Sequence, residues 1–519
     1  MKAQDYVISK EKFVFHSTGE RLHDKKLETK PISYFRDALN RFAKNKASIV
    51  GAVIIALLLV FAIAGPLFTP YSVEYADINY AFVTPKNELF YALGIPFWDG
   101  GTEKEKINET DYLMYQAIEQ EIGRPVILGD AEVEEYVYFG KPKKTYNFRL
   151  DTYNAVGIKY VYLSSAEYQK LQKYQDDEKV QVIYPATDQS KLPAVGDFAG
   201  AQSSNIWYKL SSNGKIELDK NGNFKPIYLK NNGSDIYTSS MYLEDYSPDE
   251  YRYAIKKDGD LWQVRVDYRE YYIYQHAMAN DGEGDGITAP SFIFGANNIG
   301  KDIFSCLSNG ARFSFGLAIL VATVNLFVGA IYGAIEGYYG GKIDILMERF
   351  VEILGSIPFM IVITLLKYHL DASHILILFI SFFLTGWTGM AGRTRMQFYR
   401  FKNQEYVLVA RTLGAKDKRI MFKHIFPNAV GTIITGSVLV IPSVIFSETS
   451  LSYLGIIDLS TGGTTSVGTL LATGQNYLFT YPHMILFPSI FISLLMLCFN
   501  LFGNGLRDAF NPSLRGSEE

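Results

Sequence analysis

The chain has 519 residues, of which 48% are hydrophobic and 15% aromatic, and its 50 basic and 54 acidic side chains leave a formal charge of −4. This near-neutral total averages two unlike parts: residues 71–295 carry 35 acidic and 23 basic side chains, and the remainder carries 19 acidic and 27 basic. The only cysteines, Cys306 and Cys498, lie outside the acidic block, which excludes a disulfide framework there and leaves that block to be held by its own core.

Residues 1–46 are hydrophilic and mixed in charge, without a short apolar core followed by small residues, so no cleaved leader is expected. Within them, Tyr34, Phe35, Ala38, Leu39, Phe42 and Ala43 recur at helical spacing opposite Arg and Lys side chains. This pattern predicts an amphipathic helix lying on the inner membrane surface. The first long apolar run, 48–68, follows and ends at Pro66 and Pro70. Five more runs are long enough for membrane helices, at 313–335, 345–366, 375–390, 429–446 and 484–502. The third contains Gly355 and Pro358, and the fifth contains Pro442. Such residues are tolerated in membrane helices because neighbours satisfy the freed backbone groups.

Between the first two runs, residues 71–295 read as a folded α+β domain. Strand-like runs fall at 144–150, 158–163, 180–184, 206–210, 225–229 and 262–268, and helical pieces near 109–121 and 165–175. Hairpin turns are expected at Asn213-Gly214, Asn221-Gly222 and Asp258-Gly259. The block has one histidine, His276, and no Gly-x-Ser-x-Gly, so a histidine metal cluster or a serine-hydrolase elbow is not in view. Glycosylation sequons at Asn108 and Asn232 are weak signals. The stretch from Gly295 to Lys301 fits the spacing of a phosphate loop, but Asp302 stands where Ser or Thr would ligate magnesium, so no nucleotide is expected there.

Segment 393–428 carries nine basic residues, among them Arg393, Arg395, Arg400, Lys402, Arg411, Lys416 and Arg419, against Glu405 and Asp417. The excess places this segment in the cytoplasm. Arg507 and Arg515 of the tail agree. Six spans with both ends inside put 71–295 on the outer side.

Residues 405–428 resemble the EAA loop of ABC importer permeases, with matching positions at Glu405, Ala410, Arg411, Gly414, Ala415, Ile425, Pro427 and Asn428. The stretches from Arg36 to Lys46, Phe294 to Phe304, Gly310 to Ser314, Gly337 to Asp344, Glu448 to Gly455 and Asn500 to Pro512 resemble the oligopeptide/dipeptide branch of that family. One departure stands at Ala296, Asn297 and Lys301, where the family has Thr, Asp and Arg. A second is the length of 71–295, about which the resemblance says nothing. The resemblance implies an all-α polytopic type I permease fold of six transmembrane helices, here with a large inserted extracytoplasmic α+β domain. The parts would be a cytoplasmic segment 1–46, helix 47–70, insertion 71–295, helices 2–6 in 296–505 with the loop 393–428, and a tail 506–519.

It further implies a permease subunit of a bacterial plasma-membrane importer of oligopeptides or dipeptides, with no cofactor or ATPase site of its own. ATP and magnesium would be bound by two partner ABC ATPases, beside a second homologous permease, an external substrate-binding lipoprotein, peptide substrate and membrane lipid. No nucleic acid is implied. In that family the loop docks on an ATPase, which assigns coupling to Glu405, Ala410, Arg411, Gly414, Ala415, Lys416, Arg419 and Pro427. Gly414 would join two short helices, and Pro427 would end the second. Ser356, Pro358, Ser447 and Glu448 are candidates for the translocation path, being polar or irregular points in apolar runs. Glu448 is placed near a helix end, within reach of water. Two alternatives remain open: a permease for nickel or another small solute, and a membrane-anchored extracellular receptor or enzyme.

Overall fold

A computed structural model describes residues 34–93, 95–192, 203–231, 250–257, 259–459 and 465–510. The sequon at Asn232, the turn residue Asp258, Arg515 and residues 1–33 lie outside the described residues.

Helix α1 (Tyr34–Lys44) runs directly into α2 (Lys46–Ala64), where the Asn45 side chain accepts the Ser48 N–H at 3.2 Å. With 19 residues and no charge beyond Lys46, α2 is apolar on every side, as a lipid-embedded helix must be. The sheet region follows: β1 (Gly101–Asn108), α3 (Glu109–Ile122), β2 (Ile127–Tyr138), β3 (Lys141–Asp151), β4 (Ile158–Ser164), α4 (Ser165–Glu178), β5 (Ile183–Tyr184), β6 (Ala254–Lys256), β7 (Leu261–Asp267) and α5 (Tyr268–Ala277). Two antiparallel sheets form, in the orders β1-β3-β2 and β4-β7-β5, with β6 on β7. The fully buried Arg265 of β7 reaches Glu121 of α3 at 2.8 and 2.9 Å and fixes one sheet to the helix packed on the other. On the opposite face of β7, Val264 and Val266 pack into an aromatic core that includes Tyr80, Tyr153, Tyr168, Tyr272 and Phe292.

The expected helices near 109–121 and 165–175 are present, and α4 starts on a capping box between Ser164 and Glu167. Runs 206–210 and 225–229 form only single bridges, such as Tyr208 with Pro226, and 180–184 contributes just Ile183–Tyr184 to a sheet. Apolar alternation there packs a core without building a ladder. Bridges flank both Asn-Gly turns, Leu210 with Ile216 and Leu218 with Phe224.

The stretch 295–302 is a closed turn. Asn297 Oδ1 accepts the N–H groups of Ile299 and Lys301 at 3.0 and 2.9 Å, which occupies the donors a phosphate would need. Asp302 then caps α6 (Ile303–Tyr339), accepting Phe304 and Ser305 N–H groups and, at 2.9 Å, the Thr69 hydroxyl. Burial pushes the Asp302 carboxyl up to about 6. The sheet region rests on the same end of the bundle: Phe82 stacks on Tyr481 at 4.4 Å and Phe294 on Phe487 at 3.9 Å.

The longer helices that follow are α7 (Gly341–Gly355), α8 (Phe359–His369), α9 (His374–Gly386), α10 (Thr388–Phe401), α11 (Glu405–Thr412), α12 (Phe426–Val438), α13 (Val440–Tyr453), α14 (Val467–Gln475) and α15 (His483–Phe510). Among the described residues, five helical stretches are each long and apolar enough to cross a membrane: Lys46–Leu67, Ile303–Tyr339, His374–Phe401, Asp417–Tyr453 and His483–Phe510. The third expected span is not one straight helix. It is α7 and α8 bent by 72°, because Pro358 cannot continue the helix that ends at Gly355. Helix α2 packs on α15 at Gly51, where a side chain would meet the Cys498 carbonyl at 2.8 Å, and Ser48 Oγ donates to Leu501 O at 3.0 Å.

Candidate functional site

The loop between α10 and α12 has a defined shape. Helix α11 ends on Gly414, whose φ of +81° lies in the left-handed region. The Gly414 N–H donates to Arg411 O at 3.0 Å and the Ala415 N–H to Ala410 O at 3.1 Å. These two bonds make a Schellman end, so Ala410, Arg411, Gly414 and Ala415 form one turn. Open space surrounds the missing Gly414 side chain, so backbone conformation, not crowding, requires glycine here.

After the turn the chain becomes helical again at Asp417 and passes through a wide i→i+5 turn over Ile420–Ile425 into α12. Pro427 therefore does not end the second helix. It occupies the first turn of α12, where its missing N–H is not needed, and the wide turn absorbs the change of register. Val407, Ile420, Met421 and Ile425 are buried against Ala334, Tyr338 and Phe398, which anchors the loop to the ends of α6 and α10. The other face is exposed, including Glu405, Tyr406, Leu408, Val409, Leu413, Lys416 and Arg419, with Leu413 82% accessible. The sequence placed a cationic rim there and missed these apolar side chains.

The translocation candidates separate. Ser356 and Pro358 sit exposed at the α7–α8 break, and Ser356 Oγ donates to Ile353 O at 2.8 Å. Ser447 is half-buried. Glu448 does not reach water: it is fully buried, with Ser314 Oγ donating to Oε2 at 2.8 Å and Ser452 Oγ to Oε1 at 3.2 Å. The helix turns Glu448 inward onto α6, so it cross-links helices. Among the described residues no hydrogen bond joins Ser356 or Pro358 to Glu448.

Two features escaped the sequence reading. Gly329, Gly333 and Gly337 form a stripe four residues apart on α6, against which α10 packs. A side chain at Gly329 would lie 2.6 Å from Met390 Cβ, and one at Gly337 2.6 Å from the Arg395 carbonyl. The spacing was visible in the sequence and could have marked this interface. The second is Arg395, which meets Asp344 at 2.6 Å, Glu336 at 3.2 Å and Glu348 at 3.7 Å. Tyr399 also donates to Asp344, and Lys402 Nζ donates to Gly337 O at 3.0 Å. These contacts tie α6, α7 and α10 together beside the loop.

Residues 325–516 match the model of the binding-protein-dependent transport system inner membrane components, and residues 33–85 that of the N-terminal transmembrane domain of oligopeptide transport permease C. These ranges leave out 86–324, which holds both sheets. The chain is 39% identical over 245 residues to the oligopeptide transport system permease protein OppC of Bacillus subtilis, covering 47% of this chain and 78% of that one. It is 38% identical to the dipeptide transport system permease protein DppC of the same organism, covering 43% and 69%, and 38% identical to OppC of Haemophilus influenzae, covering 43% and 70%.

Proposed function

This chain belongs to the binding-protein-dependent inner membrane transport components of the oligopeptide and dipeptide permease kind, and on that premise we propose that it imports short peptides, driven by ATPases that grip its 393–428 loop. The observation that carries the reading is the loop itself: rigidly capped at Gly414, anchored on one face to α6 and α10, and presenting apolar side chains within a cationic rim on the other. An anchored face transmits displacement to the helices, and an exposed mixed face offers a docking surface. Two ATPases bind ATP and magnesium, a second homologous permease completes the pathway, and an external lipoprotein delivers peptide. The loop and both ends lie in the cytoplasm, and the sheet region 71–295 lies outside as an inserted domain. The positive-inside balance of 393–428 supports this orientation.

The 72° break at Gly355–Pro358 supports a place for Ser356 and Pro358 beside the path, since irregular backbone at membrane depth belongs where protein or water surrounds it. The test is Gly414→Arg. It removes uptake of a radiolabelled tripeptide while the protein remains in the membrane at wild-type level; normal uptake would sink the docking assignment. Competition by unlabelled peptides and by nickel distinguishes the carried solute.

A further inference from the structure

At the same end of the bundle as the loop, α10, α12 and α15 enclose a cavity of about 370 Å³. Its lining includes Arg393, Arg400 and Arg507 together with the apolar Met396, Leu439 and Phe510. Among the described residues, none of the three arginines forms an ion pair with a carboxylate. Arg393 instead donates to the Gly436 carbonyl at 3.0 Å, and Arg400 lies 5.5 Å from the Phe401 ring. Arg393 is held in place by the absence of a side chain at Gly436, where a Cβ would lie 2.7 Å from its Nη1. Three exposed cations, without an ion-pair partner among the described residues, thus surround one recess at the ends of the helices, with an apolar wall leading from it.

We infer that this recess binds the phosphodiester headgroup of an anionic phospholipid, with the acyl chains lying along Met396, Leu439 and Phe510. Arginine matches a phosphate geometrically as well as by charge, and basic recesses between membrane helices at the water boundary suit acidic headgroups. A free phosphate would use the arginines alone and leave the apolar wall idle, so the lining favours the lipid. The inference does not depend on which solute is carried.

The test is retention of phosphatidylglycerol and of phosphatidylcholine by the full-length chain purified in detergent, read by native mass spectrometry. Wild type retains phosphatidylglycerol in preference to phosphatidylcholine, and each of Arg393→Gln, Arg400→Gln and Arg507→Gln lowers that retention about fivefold. Gly436→Ala, which displaces the Arg393 guanidinium, lowers it as well. Lys342→Gln, an exposed cation outside the recess, leaves it unchanged. Equal retention of the two lipids, an unaffected triple arginine variant, or an equal loss in Lys342→Gln overturns the inference. Complete displacement of phosphatidylglycerol by excess inorganic phosphate assigns the recess to free phosphate and overturns the lipid.

Discussion

The Tyr338 hydroxyl donates to Asp417 Oδ1 at 2.6 Å, while the Arg411 guanidinium lies 5.8 Å from the centre of the same ring. One side chain at the end of α6 thus touches both halves of the loop, one through its edge and the other through its face. Under the proposed coupling role, displacement of the loop passes to α6 through this ring. Tyr338→Phe keeps the face and removes the hydroxyl, a loss of about 1 kcal/mol, or roughly fivefold in an equilibrium. Peptide uptake falls by that order while the membrane content of the protein stays constant. Uptake equal to wild type would remove Tyr338 from the transmission route.

Small substitutions at Gly414 rank by backbone cost, because open space surrounds the site within this chain. Asn tolerates the left-handed conformation and Ala pays about 1–2 kcal/mol for it. Uptake therefore declines in the order Gly, Asn, Ala, with Gly414→Arg lowest because its bulk also blocks docking. If Ala and Asn behave alike, the turn tolerates another conformation and the Schellman geometry does not matter to coupling.

Gly333 and Gly316 lie on the same helix and predict opposite outcomes. A Cβ at Gly333 collides with the Ala391 backbone carbonyl, which cannot swing aside, whereas Gly316 has nothing within 4 Å. Gly333→Ala destabilises the packing of α6 on α10 by about 1–3 kcal/mol, as overpacking does. Gly316→Ala gains up to about 1 kcal/mol of helix propensity. Thermal unfolding of the purified proteins in detergent reads both, and a Gly333→Ala melting point at or above wild type contradicts the packing.

Much of the bundle was legible because lipid imposes a length and a polarity that few other environments require. The loop was legible from Glu405, Gly414 and the run of cations. Pro427 was misread because a proline in isolation signals a helix end, and the wide turn that rescues it at Ile420–Ile425 depends on packing against Ala334 and Phe398. The burial of Glu448 was illegible for a similar reason: its partner Ser314 lies 134 residues away in sequence. Strand β1 was missed because the alternating Glu and Lys of Gly101–Asn108 give it almost no apolar face and it is held by pairing with β3; β2, on the other edge of β3, was missed as well.

Glu448 separates two kinds of replacement. Gln can still accept from Ser314 or Ser452, whereas Leu leaves both buried hydroxyls without that acceptor, at a cost of about 1–3 kcal/mol. Glu448→Leu therefore unfolds at lower temperature than Glu448→Gln. A cross-linking role requires uptake to follow this stability order. Wild-type stability with abolished uptake in Glu448→Gln would return the residue to the translocation path.

Asp302 sets a pH dependence whose sign follows from its burial. Its ordinary value is 3.8, and in the folded chain burial raises it to about 6, with two N–H groups and the Thr69 hydroxyl opposing that rise and no cation within ion-pair distance among the described residues. The folded state therefore holds its proton more tightly than the unfolded state does. The associated stability is fully present below pH 3.8, declines as pH rises toward 6, and is gone above that. The shift corresponds to about 3 kcal/mol over the window. Asp302→Asn keeps an acceptor for the start of α6 but has no proton to lose. The melting difference between Asp302→Asn and wild type thus grows in favour of Asn between pH 4 and pH 6 and is flat above pH 7. A difference independent of pH, or one that grows in favour of wild type, shows that the Thr69 and backbone bonds hold the ionised carboxylate well enough to cancel the cost of burying it.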